Sequence, residues 1–124
     1  MGVYRGIAQD NVVITSGQIT AQRIRNTNNV PVTKTASFTL GADENMVICN
    51  GGAANVTITL PAASSAPGRT VWIKNLSGTY TVVSASSNVA PQNSATAGTA
   101  ILAASATAWA MLVSDGTNWV IMAS

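Results

Sequence analysis

The stretch Asn55-Val56-Thr57-Ile58-Thr59-Leu60 alternates polar and apolar residues without a break. A period of two sends successive side chains to opposite sides of an extended chain, so one face is buried and the other wetted. The same alternation puts Ala36, Phe38 and Leu40 against Ser37 and Thr39. Residues 69–75 (RTVWIKN) and 79–84 (TYTVVS) are rich in the β-branched and aromatic residues that favour strands. Residues 109–114 (WAMLVS) and 118–123 (NWVIMA) are apolar on both faces, as strands held in a core or an interface would be.

Turn signals separate these runs. Gly51–Ala54 is expected to join the apolar run MVICN to residues 55–60 as a hairpin loop, and Leu76-Ser77-Gly78 to join 69–75 to 79–84. Pro61 ends its strand, because proline offers no N–H to a ladder. Pro67-Gly68 is a favoured pair for the centre of a type II turn. The fold class that follows is all-β: an antiparallel sandwich, jelly-roll-like, or a small barrel knob. Phe38, Ile58, Leu60, Trp72, Ile73, Trp109 and Trp119 are its expected core. The Ala-rich segment 96–112 could place Ile101, Leu102, Ser105, Trp109 and Leu112 on one helical face, but Thr and Ser interrupt it and strands are favoured. Residues 88–98 read as a small-residue loop, and no repeat of fixed period stands out.

Residues 1–34 differ in kind. Val12 and Ile14 lie in a strand-like run, residues 18–26 in a poor helical pattern, and residues 26–32 in a linker-like one. The segment is expected to be an extended N-terminal arm, with residues 35–124 forming the β domain. Charge divides the chain in the same way. The arm carries Arg5, Arg23, Arg25 and Lys34 against Asp10, whereas the rest carries Arg69 and Lys74 against Asp43, Glu44 and Asp115.

Across all 124 residues, charged side chains make up only 8%, where roughly 25% is usual. Ser, Thr, Asn, Gly and Ala take their place. So neutral a surface repels copies of itself weakly and suits a protein packed in an assembly.

Catalytic chemistry is hard to find. There is no histidine, which removes Ser-His and Cys-His pairs and most zinc sites. Asp43 and Glu44 are adjacent and read as turn-capping residues rather than an acid–base pair. Cys49, the only cysteine, is expected to be a buried, inert thiol. No metal, cofactor or enzymatic activity is expected. The sequons at Asn55 and Asn75 read as chance matches in a chain this rich in Asn, Ser and Thr. No apolar run is long enough to span a membrane, and no signal-peptide or myristoylation pattern is present. The arm lacks the dense basic runs and interleaved aromatics of a nucleic-acid binder.

The string Ser114-Asp115-Gly116-Thr117-Asn118-Trp119 holds the groups a sugar-binding loop would use, but a hairpin turn accounts for every one of them. Leu60-Pro61, then Gly68, then Ile73-Lys74-Asn75, then Asp115 to Trp119 form an order that resembles a β module of bacteriophage virion proteins. That module occurs in capsid decoration (cement) proteins and tail fibres. The resemblance covers about residues 35–124 and implies a non-enzymatic, trimeric structural component with scaffold residues in these positions. A chain of this length is short for a whole fibre, which favours decoration of the outer surface of the head. The expected partners are then the major capsid protein and further copies of the chain, with no nucleic acid and no membrane. Arg5, Val12, Ile14, Arg23, Ile24, Arg25 and Lys34 are the capsid-contact candidates. The alternative is a fibre or receptor-binding module for cell-surface carbohydrate.

Overall fold

A computed structural model describes residues 30–124. They form ten strands in two sheets, with one 3-10 turn, Ala63–Ser65, as the helical element among them. The strands are β1 (Val32–Lys34), β2 (Phe38–Thr39), β3 (Met46–Cys49), β4 (Val56–Thr59), β5 (Thr70–Asn75), β6 (Val82–Ser84), β7 (Val89–Ala90), β8 (Ala100–Leu102), β9 (Trp109–Ser114) and β10 (Trp119–Ala123). The all-β expectation holds. So does the strand reading of the Ala-rich segment, which yields β8 and β9. Residues 88–98, read as a loop, contain the short strand β7, and Val89 also bridges Gly98.

The pairing is not purely antiparallel. One sheet runs β1-β3-β5-β9-β10-β7 and the other β2-β4-β6-β8. From β1 to β6 the chain changes sheet at every step, and its successive visits to each sheet lie parallel. Parallel neighbours require a crossover; here a strand of the opposite sheet serves as that crossover. The coils are unequal: Val32 stands opposite Val47, but Val47 stands opposite Ile73. This is why no fixed repeat is visible. β9 and β10 then close the larger sheet as an antiparallel hairpin against β5, and β8 lies antiparallel to β6.

Two expected hairpins are therefore corrected. Gly51–Ala54 carries the chain from β3 in one sheet to β4 in the other, and Leu76-Ser77-Gly78 lies on the path from β5 to β6 in the other sheet. Val32–Lys34, assigned to the arm, form the edge strand β1, paired with β3.

Val47, Cys49, Val56, Ile58, Val71, Ile73, Val82, Leu112 and Trp119 come from both sheets and form one buried cluster. Ile58, Leu60, Ile73 and Trp119 are core residues as expected, and Phe38 packs half-buried against them. Trp72 and Trp109 are not: they are 42% and 39% exposed. On β5 it is Val71, Ile73 and Asn75 that point inward, and on β9 Ala110, Leu112 and Ser114, so strand alternation turns both indoles outward.

Candidate interaction surface

A frame of buried hydrogen bonds fixes the inward face first. The indole Nε1 of Trp119 donates to the Pro61 carbonyl at 2.8 Å. The Ser114 hydroxyl donates to the Ala63 carbonyl at 2.7 Å. Asn75, 1% exposed, donates through Nδ2 to the carbonyls of Tyr80 and Ala103 and accepts the Ser77 N–H. Pro67 and Gly68 sit at the centre of a turn closed by Arg69 N–H to the Ala66 carbonyl at 3.1 Å, and Gly68 has φ +79° as a type II turn requires. Its N–H donates to the Ser114 carbonyl at 2.8 Å. Pro61, Gly68, Asn75, Ser114 and Trp119 thus tie distant parts of the chain together.

Those ties decide between turn and site for residues 114–119. One Asp115 carboxylate oxygen accepts the N–H groups of Thr117 and Asn118 at 2.8 and 2.7 Å, and Gly116 takes φ +91°. The bonds to Asn118 and then Thr117 hold the Asp115 carboxyl below the usual carboxylate range. With Ser114 and the Trp119 indole N–H also engaged, the loop is a hairpin turn.

Lys34, Glu44 and Arg69 serve the fold in the same way. Lys34, expected to contact a capsid, forms an ion pair with Glu44 at 2.8 Å and lies 4.9 Å from the Phe38 ring centroid. Glu44 also accepts the Gly41 N–H at 2.7 Å, as the turn-capping reading expects. The Lys34 bond, reinforced by that N–H, lowers its carboxyl pKa against the opposing effect of burial. Arg69 donates to the carbonyls of Gly41 and Glu44. Cys49 is fully buried, and burial pushes its thiol up to about 11. Among the described residues no three His, Cys, Asp or Glu side chains are grouped to hold a metal. No helix there is long and apolar enough to cross a membrane.

The outward face of the larger sheet is different. Strand register places Met46, Trp72 and Met111 in one row and Ile48, Lys74 and Trp109 in the next. Trp72 and Trp109 are diagonal neighbours, stacked with centroids 5.9 Å apart and planes 18° apart. They form the wall of an open groove of about 440 Å³ that also touches Pro31, Met46, Ile48 and Lys74. Trp109 also borders a second hollow of about 280 Å³ beside Leu102 and Ser124. The groove's one charged group, Lys74, has its ammonium on the Ala106 carbonyl at 2.7 Å. Met122 is 57% exposed where the register of β10 shifts beside β9.

Sequence reasoning placed both tryptophans in the core and so missed the groove. Its trace was there: Val71-Trp72-Ile73 and residues 109–113 are apolar on both faces. Arg5, Val12, Ile14, Arg23, Ile24 and Arg25 lie outside the described residues. No protein-family model, curated protein or solved structure matches this chain.

Proposed function

We propose that this chain is a structural virion protein of a bacteriophage, a capsid decoration (cement) protein that binds the outer surface of the head and stabilises it. In this reading residues 32–124 are a β-sandwich-like knob that assembles as a homotrimer. The N-terminal residues, with Arg5, Arg23 and Arg25, grip the major capsid protein. The phage assignment draws on the residue pattern described above. The observation that carries a non-enzymatic, assembling role is the division of chemistry between the two faces of the larger sheet. The inward polar groups are consumed by the fold, while the outward face offers stacked indoles and methionines to a partner. Trp and Met are residue types enriched at protein interfaces.

The carbohydrate-binding alternative would use the same indole pair. A sugar ring also needs polar partners for its hydroxyls, and the groove's Lys74 ammonium is already engaged. A protein surface suits the groove better.

The test has two parts. Imaging of the virion should find the protein on the head, and a tail location would overturn the decoration reading. Deleting residues 1–29, which spares β1, should leave a folded protein that no longer binds shells lacking it. Undiminished decoration by the truncated chain would place the contact on the β domain instead.

A further inference from the structure

We infer that the outward face of β3, β5, β9 and β10, centred on Trp72 and Trp109, is the surface through which copies of this chain associate. This rests on the self-assembling reading above and gives it a location. The occupant must match the face. Apart from Lys74, whose ammonium is held by Ala106, the rows across β3, β5 and β9 carry no charge. Such a face offers nothing to select a strongly acidic or basic partner. It selects another apolar, nearly neutral surface, and each copy of this chain presents one.

The extent of the face fits the same occupant. Four adjacent strands of this length present a plane of roughly 20 by 20 Å. That is about half of the roughly 800 Å² per partner that a standard interface buries. It is the right share for a dry centre, with the surrounding Ser- and Thr-bearing loops as the rim. Trp72, Trp109 and Met46, each 39–42% exposed, would be the centre of that contact. Stacking already fixes the two indoles against each other, so little side-chain freedom is lost when a second copy covers them.

The experiment compares the full-length protein with Trp72→Lys by sedimentation across the micromolar range. Circular dichroism and acrylamide quenching are followed in parallel. The expected result is a wild-type oligomer, and a folded variant whose self-association is weakened at least roughly 30-fold, the scale of a central interface residue. An unchanged oligomer in the folded variant would overturn the location and leave self-assembly standing on another surface. A monomeric wild type would overturn both. If that monomer already shields its indoles, the chain's own N-terminal residues occupy the groove. Should Trp72→Lys not fold, the wild type alone decides. Quenching that falls as association rises supports the face, and quenching independent of association overturns it.

Discussion

Replacing Trp119 by Phe tests whether the indole is a structural tie or part of a ligand site. The side chain is fully buried, and its Nε1 donates to the Pro61 carbonyl across a separation of 58 residues. Phe keeps most of the ring but loses the donor. Leaving the part-buried Pro61 carbonyl without its partner costs about 1 kcal/mol, at the lower end of the usual range. The smaller ring leaves a void on the order of 40 Å³, worth about 1 kcal/mol. Lost apolar burial adds a fraction of that, for a total of about 2–3 kcal/mol. In a domain of this size the melting temperature should fall by roughly 10–20 °C. Urea unfolding followed by circular dichroism should show a lower midpoint with an unchanged slope, since the surface exposed on unfolding is nearly the same. Trp72→Phe, measured below the association range, should cost under about 0.5 kcal/mol, because that ring is 42% exposed. If Trp119→Phe left the midpoint in place while abolishing binding to a glycan, the turn reading of residues 114–119 would be refuted.

Gly68→Ala should destabilise by about 1–2 kcal/mol through backbone strain, since φ is +79° and the space around a Cβ there is open; urea midpoints measure it. Asn75→Ala removes both bonds to the Tyr80 and Ala103 carbonyls and the acceptor for Ser77, and should cost about 2–4 kcal/mol. A loss below about 1 kcal/mol would show that water replaces the amide. Glu44→Gln should weaken the protein by about 1 kcal/mol near neutrality, because the ion pair with Lys34 is only partly shielded. The Glu44 carboxyl is held below its ordinary value of 4.5. Its contribution is therefore full above that value and lost as pH falls through the lower, folded-state one. Wild type and variant should differ near neutrality and converge in acid, and a gap that widened in acid would contradict the assignment.

The strands were legible because alternation is a local property. Residues 56–59, 70–75, 109–114 and 119–123 could be read from their own side chains. Their pairing was not. One parallel neighbour of β3 is β5, and the chain between them visits the other sheet as β4, so nothing local marks the partnership. Gly51–Ala54 has hairpin composition because any tight change of direction needs small residues; composition does not record whether the next strand returns to the same sheet. The groove was hidden for a related reason. Val71, Trp72 and Ile73 are all apolar, so hydrophobicity alone cannot say which set points inward. The phase is set by Asn75, whose amide must reach the Tyr80 and Ala103 carbonyls inside. Inward Asn75 places Ile73 and Val71 inside and turns Trp72 out.

The lengths of the edge strands bear on how the proposed self-association would avoid open-ended aggregates. Among the described residues, the larger sheet ends in β1, of three residues, and β7, of two; the smaller ends in β2, of two, and β8, of three. An edge this short presents few unpaired N–H and C=O groups, which is one way proteins suppress strand addition. It also makes these edges poor docking sites for an added strand. Association through β edges would propagate from either end of a sheet, whereas copies that turn the same apolar face toward a common axis close into a finite assembly. The outward face offers a wide, dry contact centred on Trp72 and Trp109, and the edges offer at most a few hydrogen bonds. A substitution on the face should therefore change the number of copies in the assembly without touching the fold. One in the frame of Pro61, Asn75, Ser114 and Trp119 should do the reverse, lowering stability while the surviving folded protein still associates.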